Sequence, residues 1–196
     1  AYHNTKNYKD ALNSIKKIKV RNDEINEALQ RISYYRGLEL YTSQDFDEAV
    51  NLFSESLSNS TFDVHIQAKA LFWRAESYYR IKKTDEAIRD YKSFLEKAAA
   101  LRTDVYDDGQ YGLGYCYFRK KDYAEALKWF RKFIRYNENI VSGKLADAYN
   151  RTGDCYFMDK NYSLAIDFYD KAIQIDILDA DYATFQKGFC FGLKNQ

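Results

Sequence analysis

GYCYFRKKDYAEALKWF at Gly114–Phe130 and GDCYFMDKNYSLAIDFYDKA at Gly153–Ala172 align without a gap. Each opens on glycine and has Tyr three positions later, at Tyr117 and Tyr156. Each then places Asp or Asn before a second aromatic (Asp122-Tyr123, Asn161-Tyr162), with Ala126 or Ala165 twelve positions after the glycine. A further aromatic, Phe130 or Tyr169, follows four residues on. Apolar residues three and four apart mark one face of a helix, and each stretch holds two such runs around a short polar turn. Each stretch reads as a pair of helices.

The unit extends in both directions. An aromatic followed three residues later by Ala recurs at Tyr8/Ala11 and Phe46/Ala49, and Thr84/Ala87 is the same unit with Thr in place of the ring. The five alanines are 38, 38, 39 and 39 residues apart. Gly37, Ala75, Gly114 and Gly153 stand twelve before four of them, and Gly188 opens one more unit. Repetition at a fixed period marks stacked units that share one core. Small residues at the helix crossing predict that Gly37, Ala75, Gly114 and Gly153 approach Ala49, Ala87, Ala126 and Ala165. Asn7, Asp45, Asp122 and Asn161 are the expected N-caps, worth about 1 kcal/mol each. The second complete unit has Lys83 there, and Thr84 is expected to cap one residue later. First helices are expected at 24–43, 64–81, 104–120, 143–159 and 180–194, and second helices at 8–19, 46–58, 85–100, 123–137 and 162–175. No strand is expected.

The pattern Gly-x-x-Tyr, then Asp/Asn-Tyr-x-x-Ala-x-x-x-Tyr/Phe, resembles the tetratricopeptide repeat over essentially the whole chain. The resemblance implies an all-α, α-α superhelix of antiparallel helix pairs with a right-handed twist. It spans 1–196 as one solenoid, with about four complete units and partial units at 1–20 and 181–196. There are departures. The period exceeds the usual 34 or so. Lys6, Gln44, Lys82, Lys121 and Lys160 stand where the turn usually has Gly, and no Pro closes a repeat. Phe94 and Phe133 fill a slot that is usually Ala. These features resemble the long-repeat branch of Gram-negative cell envelopes, which implies a periplasmic or outer-membrane-associated protein and leaves the cytoplasm open. Tyr2 near the start, and Phe185, Phe189, Cys190 and Phe191 with no polar cap, lead us to expect a segment of a longer repeat protein. Uncapped ends of this kind could also support oligomerisation.

Composition agrees with helix: the chain has no Pro and 8 Gly in 196 residues. With 30 Lys plus Arg against 29 Asp plus Glu, the net charge is +1, without the basic excess of a nucleic-acid binder. No apolar run is long enough to cross a membrane. Arg119-Lys120-Lys121 and Arg131-Lys132 with Arg135 read as solvated faces, because acidic residues interleave them.

No residue pattern demands a cofactor or a catalytic site. Cys116, Cys155 and Cys190 each lie two after the repeat glycine, in one slot that Ser77 fills earlier. Equivalent slots in neighbouring repeats lie about 10 Å apart, too far for a disulfide, so buried free thiols are expected. His3 and His65 have no second ligand at metal spacing. The Gly109, Gly112, Gly114 cluster follows no strand and makes a poor phosphate loop. Asp176, Asp179 and Asp181 lack the glycine and glutamate of a calcium loop.

An aromatic surplus remains, with 19 Tyr and 13 Phe. The resemblance implies a concave groove lined by the first helices, at three before, one after and four after the small residue. Those slots hold Tyr34, Leu38 and Tyr41; Phe72, Glu76 and Tyr79; Tyr111, Tyr115 and Phe118; and Asn150, Asp154 and Phe157, with Arg80 and Arg119 beside them. Tyr35 and Tyr182 also adjoin the groove. Tyr gives large contact area at low entropy cost, so the groove is a candidate surface for a partner protein or peptide, centred on Tyr79, Tyr111, Tyr115 and Phe118. The Lys/Asn pair that would clamp a carboxylate tail is absent from every unit. The sequence therefore points to a non-catalytic scaffold, with a structural spacer as the second reading and a helical enzyme or lipid-binding module as the third.

Overall fold

The computed structural model describes residues 7–59, 61–97, 99–175 and 180–194. Tyr2, His3, Lys6 and the Asp176–Asp179 run lie outside them. Among the described residues there are ten α-helices and no strand. Their contacts form two compact units, Ala1–Tyr106 and Asp107–Gln196.

The first unit holds α1 (Tyr8–Lys16), α2 (Asp23–Thr42), α3 (Phe46–Ser58), α4 (Val64–Arg80) and α5 (Thr84–Leu95), then a 3₁₀ turn at Ala100–Arg102. The second holds α6 (Tyr106–Arg119, from Asp107 on), α7 (Tyr123–Asn137), α8 (Gly143–Met158), α9 (Tyr162–Ile175) and α10 (Ala180–Lys194). Most boundaries fall within about two residues of those expected. Two second helices stop early. α1 ends at Lys16, beyond which Ile18 and Val20 are exposed and the apolar stripe has nothing to cover. α5 ends at Leu95, and the 3₁₀ turn folds back to bury Ala100 completely.

The turns explain how a repeat without turn glycines closes. Gln44, Lys82, Lys121 and Lys160 all have left-handed backbone, with φ of 64°, 65°, 62° and 59°. At each, the following residue's N–H bonds a carbonyl five back, as from Asp122 to Tyr117 at 3.0 Å. The left-handed residue itself bonds a carbonyl three back, as from Lys121 to Phe118 at 2.9 Å. This is the Schellman closure, built with side chains that disfavour it relative to glycine. Asn7, Asp122 and Asn161 then accept from the next helix's amides. Asp45 stands in the cap position without such a bond. At α5 the cap position is Lys83, again without a side-chain bond; Thr84 is already helical, so the expected Thr84 cap is not made.

At the helix crossing the atoms nearest the glycines belong to aromatic rings. A Cβ at Gly37 would meet the Phe53 ring at 2.7 Å, one at Gly114 the Phe130 ring at 2.8 Å, and one at Gly153 the Tyr169 ring at 2.6 Å. At these three crossings the glycine thus makes room for the ring four residues after the repeat Ala. Those three rings are fully buried. Cys116, Cys155 and Cys190 are buried and unpaired, as expected. Cys155 packs with Ala126 and Phe130 of the preceding repeat.

Candidate functional site

In the first unit, α2 and α4 line a hollow of about 450 Å³, to which Asp104 and Val105 also contribute. Tyr34 lies at its base, 4% exposed, edge-on to Tyr35 at 5.1 Å. Burial, then Tyr35 and Asp104, push the Tyr34 phenol well above its ordinary range. Trp73 and Leu38 line the hollow, and Tyr35 is 39% exposed while stacked on Tyr8. Lys69 and Asp104 form a 2.6 Å ion pair there. The hydrogen bond from Lys69 holds the Asp104 carboxyl below its usual range. An apolar, aromatic hollow with one cation and one anion at its edge can take an apolar side chain and hydrogen-bond its backbone.

Beside it lies a carboxylate bound by phenols. Glu76 accepts from Tyr41 at 3.1 Å and also from Tyr91. Burial, then Glu76, push the Tyr41 phenol up to about 12. Burial opposes the Arg80 charge, but Tyr41 and Glu76 outweigh it and raise that guanidinium. The second unit repeats the device twice. Asp147 accepts from Tyr111 at 2.6 Å and from Tyr115. Asp154 accepts from Tyr169 at 2.8 Å and from Tyr182 at 2.7 Å. Arg151 joins the two, 3.3 Å from Asp147 and 2.6 Å from Asp154. Burial raises the Asp154 carboxyl, against Arg151 and the two phenols, which pull it down. Burial, then Asp154, raise Tyr182 to about 12 and Tyr169 further.

These nodes account for much of the tyrosine surplus, and the sequence carried a signal for them. One after the small residue stand Leu38, Glu76, Tyr115 and Asp154; four after the repeat Ala stand Phe53, Tyr91, Phe130 and Tyr169. A phenol occurs in the second slot only where a carboxylate occupies the first. A buried hydroxyl needs an acceptor, and where none is supplied Phe takes its place. Asp147, Arg151, Trp73, Lys69 and Asp104 had no repeat slot to mark them and were not singled out by the sequence.

The candidate groove residues separate by burial. Tyr34, Phe72 and Asn150 are core side chains, 4%, 3% and 0% exposed, so they support a surface from below and cannot form it. Phe72 packs on Trp73, Tyr91 and Phe94. Asn150 occupies the slot that holds a ring in the other repeats, and neither amide atom has a partner among the described residues. Tyr41, Tyr79, Tyr111, Tyr115, Phe118 and Phe157 are half-buried, while Arg80 and Arg119 are exposed. Tyr79, Arg80 and Tyr41 belong to the first unit; Tyr111, Tyr115, Phe118, Arg119, Asn150 and Phe157 to the second. Among the described residues no group of three His, Cys, Asp or Glu is placed to hold a metal, and no helix is long and apolar enough to cross a membrane.

Residues 34–100 and 106–177 each match a family profile described as "Tetratricopeptide repeat". The chain belongs to the tetratricopeptide repeat family. Comparison with curated proteins gave no match. Among solved structures, BtubC (BKLC) from P. vanneervenii is 15% identical, with a TM-score of 0.71, covering 96% of this chain and 82% of that one. A MamA protein is 23% identical, with a TM-score of 0.71 over 85% of this chain and 83% of its own. YrrB, described as "a TPR protein with an unusual peptide-binding site", is 17% identical, with a TM-score of 0.69 over 96% of this chain and 84% of its own. At these identities the likeness is one of fold: tetratricopeptide helix pairs in a solenoid.

Proposed function

We propose that this tetratricopeptide chain is a non-catalytic scaffold that holds a segment of a partner protein against the first helices of its repeats. The observation that carries the reading is the hollow lined by α2 and α4, where Tyr35, Leu38 and Trp73 surround space for a side chain beside the Lys69–Asp104 pair. The peptide-binding site named for YrrB, a protein of like fold, supports it. Selection from a displayed random-peptide library is the test. The expected result is a family of peptides sharing an apolar anchor, whose binding is lost when Leu38→Glu puts a charge in the hollow. No enrichment, or enriched peptides that bind the folded Leu38→Glu variant equally well, would overturn it.

A spacer reading has its own support. Tyr41, Tyr111, Tyr115 and Tyr182, all on or beside the proposed groove, are tied to carboxylates and so already serve the fold. The spacing of 38 to 39 residues, with Phe94 and Phe133 in the usual Ala slot, supports placing the protein in the long-repeat envelope branch and in the periplasm. Phe185 and Phe189, 70% and 53% exposed on α10, support a further helix of a longer chain stacking there. Fractionation of the full-length protein to the cytosol would remove the envelope assignment.

A further inference from the structure

The second unit carries a hollow of about 590 Å³ on its second helices, between α7 and α9. Its cations are Lys128, Arg131, Lys132 and Arg135 from α7 and Lys171 from α9, and the one carboxylate lining it is Glu138. They recur three and four apart on α7, so they share one helix face. The whole chain has a net charge of only +1, so this is a local segregation of charge and not a reflection of composition.

Lys128 pairs with Glu125 at 3.3 Å. Arg131, Lys132, Arg135 and Lys171 have no carboxylate at ion-pair distance among the described residues. Two of these cations are held by rings instead: Lys132 lies 4.0 Å from the Trp129 ring centre, and Lys171 lies 4.8 Å from that of Phe168. Lys171 is thus positioned over the Phe168 ring, which lines the hollow together with Leu127 and Ile134 as its apolar floor, whereas Trp129 beneath Lys132 is not among its lining residues. Like charges gathered this way repel one another in the free chain and are relieved by a bound anion.

We infer that the α7–α9 hollow docks an acidic amphipathic segment of a partner protein, with its acidic side chains on Arg131, Lys132, Arg135 and Lys171 and an apolar side chain on the floor. Three features choose this occupant. The floor calls for apolar side chains, which a polyphosphate chain lacks. Phe168 is stacked on Tyr156 at 5.5 Å and also carries Lys171, so its ring does not offer a free platform for a nucleic-acid base. The cations line a hollow between two helices, a shape that receives an amphipathic helix, and Glu138 at its edge favours a basic residue at one end of that helix. This surface lies in the second unit and does not depend on the hollow lined by α2 and α4.

The test is fluorescence anisotropy of the whole chain with a labelled synthetic peptide of about twelve residues, or three helical turns, with Leu on one face and Glu on the other. A second peptide carries Lys for every Glu. The expected result is binding of the Glu peptide that weakens with salt, with no binding of the Lys peptide. The triple variant Arg131→Glu/Arg135→Glu/Lys171→Glu should weaken it by roughly tenfold or more while the circular dichroism melt is retained. Lys17→Glu/Lys19→Glu/Lys83→Glu makes the same change in net charge on exposed residues of the first unit and should leave binding unchanged. Equal weakening by both triples would show only bulk charge and overturn the proposal. So would no binding of the Glu peptide, or sedimentation of the chain with phosphatidylglycerol vesicles while the peptide stays free.

Discussion

Gly153→Ala and Gly188→Ala are the same substitution in the same repeat slot and should have opposite signs. At Gly153 the new Cβ would lie 2.6, 2.8 and 3.0 Å from three ring atoms of Tyr169. Comfortable carbon contacts begin at about 3.5 Å, so the ring must retreat by nearly an ångström. It has little room to do so. Tyr169 is 0% exposed, and its hydroxyl is bonded to Asp154 at 2.8 Å. Overpacking of this kind costs about 1–3 kcal/mol, and loosening a hydrogen bond to a carboxylate adds about 1.5 kcal/mol. The better helix propensity of Ala returns about 1 kcal/mol. The expected net is a loss of about 1.5–3.5 kcal/mol, larger for Gly153→Leu. At Gly188 nothing lies within 4 Å of the added Cβ, so only the propensity term acts and a gain of about 0.5–1 kcal/mol is expected. Urea denaturation followed by circular dichroism reads both. A Gly153→Ala chain as stable as the parent, or a Gly188→Ala chain equally destabilised, would refute the ring-in-the-crossing account.

The left-handed turns predict that Gln44→Gly, Lys82→Gly, Lys121→Gly and Lys160→Gly each stabilise by about 1 kcal/mol, nearly additively in denaturation midpoints. The phenol–carboxylate pairing predicts that Tyr169→Phe and Asp154→Leu are each destabilising but partly rescue one another, as the natural Leu38/Phe53 pair suggests; a double-mutant cycle should show coupling of about 1 kcal/mol or more. Alkaline pH should destabilise the chain. Burial raises Tyr41 and Tyr182 to about 12, and Tyr111, Tyr115 and Tyr169 further. A raised folded-state value means the stabilisation is complete below the unfolded value of about 10 and is lost as pH rises through the folded one, at about 1.4 kcal/mol per pH unit for each phenol still protonated. Denaturation midpoints that do not fall above about pH 10 would contradict this.

The helix pairs were legible because repetition multiplies a weak local signal. One Gly-x-x-Tyr means little, but five Ala spaced 38 to 39 apart, with small residues in phase, leave one assignment of first and second helices. The cysteine slot was legible for the same reason. The aromatic slots were only half legible. Phe72 and Tyr79 sit seven apart on α4, both in slots assigned to the groove, yet one is core and the other half-buried. Helical spacing places two residues on one side of a helix; it does not say how far a neighbouring repeat closes over that side.

The sequence by itself determined the repeat, its phase, the helix pairs and the buried thiol slot, because these follow from local periodicity and from small residues at fixed intervals. Only the tertiary structure decided which ring fills each crossing, which carboxylate receives each phenol and where the cations of α7 meet Lys171 of α9. Those pairings join residues on different helices, as far apart in sequence as Tyr41 and Glu76 or Tyr111 and Asp147. Their energy depends on distance and burial, which are properties of the packed helices and not of the order of residues along the chain.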